Sequence, residues 1–135
     1  VPPELRTVSV TLRRDDGRVL LLRRTAARGG FWQILTGRME PGESPLQTAA
    51  REVHEETGFS PLLADLRELR YLHSFALGGR IPPVFAQETA FAVRVEGEPT
   101  LSDEHDEHRW CTPEEALRLL PFAGLRRAVR IAVAL

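Results

Sequence analysis

The chain's pattern predicts an α+β or α/β layer fold, on three observations. Residues Thr7 to Arg13 alternate, with Val8, Val10 and Leu12 apolar, which is the period of a half-buried strand. Ser44-Pro45, followed by Gln47 three places after the cap, is the opening of a helix. Thr112-Pro113-Glu114-Glu115 repeats that grammar later in the chain. Strand-type segments thus intermix with two or three helices, and the 135 residues read as one domain spanning 1–135.

Taken in order, Asp15-Asp16-Gly17 is turn chemistry after the first strand, and Val19 to Leu22 reads as a buried return strand. Thr25 to Gly30 is a small, basic loop. It leads into Phe31 to Leu35, a short apolar segment ending at Thr36-Gly37. The helix from Pro45 is expected to end at Gly58, which suits the left-handed cap position. Leu66 to Phe75 mixes both periods and stays open between strand and helix. Gly78 to Pro83 reads as a loop, Val84 to Val95 as a β-branched and aromatic strand closed by Glu96-Gly97-Glu98-Pro99. Leu101 to Glu107 is expected to be a charged loop before a short strand, His108 to Cys111. Pro121 ends the second helix, and Ala123 onward forms a last one.

Composition narrows the function classes. Eighteen Lys and Arg against nineteen Asp and Glu give a net charge of -1, without the basic excess of a nucleic-acid coat or a membrane-surface protein. The single cysteine, Cys111, excludes an internal disulfide and a multi-cysteine zinc site, and fits a reducing cytoplasm. No apolar run approaches the roughly 20 residues that span a bilayer, and Val1-Pro2-Pro3-Glu4 lacks a signal-peptide pattern. The expected partner is a small molecule in the cytoplasm, with no nucleic-acid polymer and no membrane. Ile131 to Leu135 is either core or interface, which leaves the oligomeric state open.

The helix from Pro45 to Thr57 carries the chemistry. Glu52, Glu55 and Glu56 are three and four apart and share one face, along the edge of a stripe formed by Leu46, Ala49, Ala50 and Val53. Like charges about 6 Å apart repel by roughly 0.7 kcal/mol in water and roughly 3 kcal/mol at an effective dielectric of 20. The acids also crowd the helix C-terminus, where the macrodipole favours cations. Arg51 offsets part of this. A divalent cation would resolve the rest, and hard oxygen ligands suit Mg²⁺ or Mn²⁺. A solvated acidic helix end is the plainer alternative.

Gly37-Arg38-Met39-Glu40-Pro41-Gly42-Glu43, seven further residues and then Arg51-Glu52-Val53-His54-Glu55-Glu56-Thr57-Gly58-Phe59 resemble the Nudix box at every defined position. That resemblance implies an α/β/α sandwich with a mixed sheet, the box forming a loop-helix-loop. It implies that Glu52, Glu55 and Glu56 bind Mg²⁺ or Mn²⁺, that Glu43 belongs to and supports that metal site, and that Arg51 orients the glutamates. It also implies that the Gly37 carbonyl joins the metal ligands. The implied reaction is hydrolysis of a phosphoanhydride bond in a nucleoside diphosphate-like compound, with a carboxylate taking the attacking water's proton.

Outside the box, Trp32-Gln33-Ile34-Leu35-Thr36-Gly37 is similar to the dihydroneopterin triphosphate pyrophosphohydrolase branch. Glu104-His105, with Trp110 six residues after the glutamate, is similar to that branch and to some dinucleoside-polyphosphate hydrolases. The likeness carries metal contact and a general-base role to Glu104, and substrate contacts to Trp32, Gln33 and Glu88. Trp32 is otherwise core, and Glu104 otherwise a solvated loop acid. Arg23, Arg24 and Arg28 are candidates to meet phosphate, with an exposed basic loop as the alternative for at least two of them. His105 and His108 at i and i+3 suggest zinc less well than they suggest a charged loop, and His73 and Cys111 read as packing residues. The leading expectation is a nucleoside or pterin triphosphate cleaved to a monophosphate and pyrophosphate. The rivals are ADP-ribose, nucleotide sugars or dinucleoside polyphosphates as substrates, and a non-catalytic nucleotide sensor, although all three box glutamates are present.

Overall fold

The computed structural model describes residues 5–77 and 81–135. The expectations for Val1 to Glu4, and the Gly78 to Arg80 part of the expected loop, lie outside the described residues.

Seven strands form one mixed sheet: β1 (Leu5–Arg13), β2 (Val19–Arg24), β3 (Trp32–Gln33), β4 (Leu35–Arg38), β5 (Arg67–Leu77), β6 (Val84–Arg94) and β7 (His105–Cys111). Strand β1 is the spine. It runs parallel to β6 over its whole length, from Leu5↔Ala86 to Arg13↔Arg94, and antiparallel to β4 from Thr7↔Arg38 to Val10↔Leu35. Strand β2 meets β1 at Arg13↔Val19 and pairs with β3 and β7, while β5 pairs with β6.

Helices cover both faces. On one side α1 (Pro45–Thr57) packs Ala49 and Val53 against Val8, Val10, Leu12, Leu20, Phe91 and Val93. On the other, α2 (Pro113–Leu119) and α3 (Ala123–Val133) bring Ala116, Leu125, Ala128 and Val129 onto Val19, Leu21, Ala90 and Ala92. Consecutive residues of β2 and β6 therefore bury into opposite cores, which is why both read as continuous apolar runs. Each fully buried valine or leucine contributes about 2 kcal/mol to this docking. The architecture is the expected α/β/α sandwich.

Several expectations are refined. Strand β1 is buried on both faces, not one: Ser9 and Thr11 lie under α3, and the Arg13 guanidinium donates to the Ala132 carbonyl. Both helix openings form complete capping boxes, Ser44 with Gln47 and Thr112 with Glu115, and Gly58 ends α1 at φ 76°. The ambiguous Leu66 to Phe75 segment becomes β5, and its mixed period has a cause. Arg70 sits at φ 53° where the register with β6 shifts between Glu68 and Leu72, so the alternation slips there. The expected charged loop is shorter, because β7 begins at His105. Thr36 and Gly37 do not end the apolar segment; they continue as β4. Ile131 packs against the core and Ala132 is buried, while Leu135 is exposed, so most of the apolar C-terminal run serves the core.

Candidate active site

The site is built where α1, β4 and the approach to β7 meet. Arg51 is its organising cation. Its Nε and Nη2 donate to the two Glu43 oxygens at 2.7 and 2.9 Å, and Nη1 donates to Glu52 at 2.9 Å and to Glu55 at 3.1 Å. Nη2 also reaches the Arg38 carbonyl at 2.8 Å, which ties the helix to β4. Every one of these donors points a different way, a task for a planar fork of five N–H groups and not for a lysine.

The acids divide into two groups. Glu43, Glu52 and Glu55 gather on Arg51. Glu43 also accepts from the Thr48 hydroxyl at 3.0 Å and the Glu40 backbone N–H at 2.7 Å. The Arg51 hydrogen bonds and that N–H hold its carboxyl down at about 2. Both Glu43 oxygens are engaged in this way, and through them Glu43 anchors Arg51. Glu52 goes the other way. Burial pushes its carboxyl up to about 7 although Arg51 opposes this, and the charges of Glu55 and Glu56 add to the rise.

Glu56 forms the second group. It is buried and accepts from Ser102 Oγ at 2.6 Å. His105 Nδ1 faces the same oxygen at 3.1 Å while Nε2 faces Gln33 Nε2 at 3.0 Å, a pairing in which Nδ1 carries the hydrogen and Nε2 accepts. Burial alone would raise the Glu56 carboxyl, but the hydrogen bonds from His105, Glu104 and Ser102 hold it well below the usual range. Glu104 is raised in turn, chiefly by the neighbouring Glu56 carboxyl and then by burial. Arg28 Nη1 lies 2.9 Å from Glu104 Oε1.

The expected metal set has a specific standing. Among the described residues, no three acidic, histidine or cysteine side chains converge as ligands around one point. Their carboxylates turn instead to Arg51, Ser102 and His105. The donor chemistry nevertheless fits a hard divalent cation. Three carboxylates share one helix face with one guanidinium, and burial raises the Glu52 carboxyl to about 7 even with Arg51 beside it. Gly37 is part of the same fit: a Cβ there would lie 2.2 Å from Glu52 Cγ, so only glycine lets the β4 backbone approach that side chain. Gly37→Ala is expected to force Glu52 into another rotamer and lower turnover at least tenfold, with a smaller effect on stability because the side chain can move. Activity assays beside melting curves check this; unchanged turnover would remove Gly37 and Glu52 from the site.

Gly37 also lines a cavity of about 560 Å³ on the other side of β4, bounded by β5, β6 and the start of α3. Gln33 and Glu88 line it. Trp32 does not: it packs on the core beneath Arg23, whose guanidinium carbon is 6.0 Å from the ring centre. Arg28 is not in the lining either, being engaged with Glu104, and Arg23 pairs with Asp106 at 2.9 Å and Glu107 at 3.0 Å. Arg24 does line it.

Sequence reasoning missed the aromatic wall of Phe31, Phe75 and Phe122, the place of His73 in it, and the part of Ser102 and His105 in holding Glu56. His105 and His108 face different partners, Glu56 and Glu98, so they form no zinc pair. A buried histidine beside an acid carries no spacing signal; only the apolar-polar alternation of an extended β7 could have shown His105 pointing inward.

Comparison with known proteins agrees with this arrangement. The NUDIX domain family model matches residues 3–130. A Myxococcus xanthus protein named octanoyltransferase is 50% identical over 98% of this chain, but the chain spans only 38% of its length. The CTP pyrophosphohydrolase of Escherichia coli is 35% identical over 76% of this chain and 73% of its own. The solved structure of the E. coli dihydroneopterin triphosphate pyrophosphohydrolase superposes with a TM-score of 0.83 at 25% identity, covering 96% of this chain and 94% of that one. Nudix hydrolases generally use divalent metal ions, which suits the acid cluster on α1. With the box, the sandwich and the family match in agreement, the chain belongs to the Nudix hydrolase family.

Proposed function

We propose that the chain hydrolyses a phosphoanhydride bond of a nucleoside or pterin triphosphate, releasing a monophosphate and pyrophosphate. One observation carries this reading. Gly37 lines the cavity and also abuts Glu52, so a molecule seated in the cavity reaches the acid cluster with its polyphosphate. The names of two relatives, a CTP pyrophosphohydrolase and a dihydroneopterin triphosphate pyrophosphohydrolase, support the substrate class.

Glu52, Glu55 and Glu56, with the Gly37 carbonyl, are the groups that would hold Mg²⁺ or Mn²⁺. Bound there, the ion supplies charge neutralisation at the transferring phosphoryl group. Arg51 keeps Glu52 and Glu55 in place from below and is itself fixed by Glu43. Glu104, whose carboxyl the neighbouring Glu56 raises, is the candidate to accept a proton from the attacking water. Arg28, beside Glu104, is placed to meet a phosphate if that ion pair opens. Gln33 fixes His105 and, through it, Glu56.

A hydrolysis screen tests the reading. The panel holds nucleoside triphosphates, dihydroneopterin triphosphate, ADP-ribose, nucleotide sugars and diadenosine polyphosphates, with phosphate and pyrophosphate read separately. Pyrophosphate release from a triphosphate, lost on chelation, is the expected result; cleavage confined to the other classes would overturn the substrate assignment. Glu104→Gln is expected to lower kcat by about 10²-fold or more while changing the Mg²⁺ requirement little. An unchanged kcat returns Glu104 to the status of a loop acid.

A further inference from the structure

The cavity holds one group that the hydrolytic reading leaves unused. Glu88, on β6, is 6% exposed and is the one acidic side chain in the described lining. Thr7 Oγ1 donates to its Oε2 at 2.8 Å, and among the described residues no side chain or backbone N–H donates to Oε1. Flat rings and aliphatic side chains make up much of the wall, and Arg24, Arg38 and Gln33, which also line the cavity, make no hydrogen bond or ion pair with Glu88. Phe31 and Phe122 meet edge to face at 5.2 Å, and His73, which pairs with Glu88 across the strands, stacks on Phe75 at 5.3 Å. Burial raises the Glu88 carboxyl, and its single hydroxyl donor offsets this only in part. A carboxylate so placed keeps one oxygen for a ligand's donor, in a chamber whose size and aromatic residues suit a planar ring.

We propose that Glu88 sets ring specificity by accepting two adjacent N–H groups, which selects a 2-amino-4-oxo pyrimidine edge of the kind found in guanine and in pterins. This rests on the cavity being the ring pocket of the proposed hydrolase. The discrimination comes from the ring edges. A 2-amino-4-oxo ring offers an imino N–H beside an exocyclic amine, both donors. Adenine and cytosine place a ring nitrogen lone pair next to their amine, and uracil flanks its one N–H with two carbonyls. An acceptor-only carboxylate pairs with the first and repels a lone pair in the others. Two well-placed hydrogen bonds of this kind discriminate by about 1–3 kcal/mol, or roughly 5- to 150-fold.

The test is equilibrium binding of GMP, IMP, AMP, CMP and UMP to the full chain, measured by calorimetry so that turnover is not needed. GMP is expected to bind about 10-fold or more tightly than AMP, CMP or UMP. IMP, which keeps the imino N–H and lacks the amine, falls between. In Glu88→Gln the GMP advantage collapses toward unity. Glu88→Asp, which keeps the charge and withdraws it by one methylene, gives a second reading should the glutamine variant melt early. AMP or CMP binding as well as GMP, no preference of any kind, or a GMP advantage that survives both substitutions would overturn the proposal. Hydrolysis of the matching triphosphates is read in parallel. GMP preference without any triphosphate cleavage would sink the hydrolase reading alone, and cleavage without ring preference would sink this one alone.

Discussion

Glu56→Gln is expected to lower metal-dependent turnover by about 10³-fold while leaving the fold in place. The size of the effect follows from what Glu56 does at once. It is one of the three carboxylates on the α1 face, its charge raises the neighbouring Glu104 carboxyl, and it is the acceptor for Ser102 and His105. Glutamine keeps an oxygen to accept from Ser102 and His105, so the packing between α1 and β7 survives. It removes the negative charge that would bind a cation and that raises Glu104. Melting curves within a few degrees of the parent, beside assays across a Mg²⁺ titration, check both halves. Near-normal turnover at any Mg²⁺ concentration would show that the acid cluster is not the reactive centre.

Arg51→Ala is expected to cost more stability than any other single change in the site, about 2–3 kcal/mol, or roughly 6–12 °C in Tm. Removing the guanidinium leaves Glu52 in a half-buried position with its charge opposed only by distance, and leaves Glu43 and Glu55 without their shared donor. It also cuts the link from α1 to the Arg38 carbonyl on β4. The figure sits at or below the low end for a broken buried pair, because the Arg51 side chain is 22% exposed and water recovers part of the loss. Turnover falls with it, since Glu52 loses its orientation. Arg51→Lys should recover only part of either, as one ammonium cannot serve four acceptors in a plane. A Tm within 2 °C of the parent would mean that the network of hydrogen bonds adds no net stability.

Local chemistry made much of this legible in the sequence. The two capping boxes, the Gly58 stop and the acid face of α1 all follow from residues a few places apart, and all appear where the pattern puts them. What eluded the sequence depends on partners far along the chain. Trp32 reads equally as core or pocket wall until β3 pairs with β2 and its ring packs against the core. Ser9 and Thr11 look solvent-facing in an alternating strand, and only α3 buries them. Arg70, a residue with no turn signature, takes a left-handed backbone and shifts the register of β5. The cavity itself is assembled from β1, β4, β5, β6 and α3, none adjacent to all the others in sequence, so no window of residues announces it.

The pairing of β1 with β6 across some eighty positions has a consequence for how the molecule comes into being. The sheet's spine cannot close until residue 84 onward has joined residue 5 onward, a long loop to close before that parallel ladder forms. Helix α1, with its own capping box and stop, has by contrast the local signals to form early. Its acids then wait: Ser102 and His105, which hold Glu56, arrive 46 and 49 residues later in the chain. Folding is therefore expected to run in milliseconds to seconds, with the reactive centre completed in the last steps when β7 docks. A nascent chain that stops short of β7 would carry the whole box and yet have no assembled site.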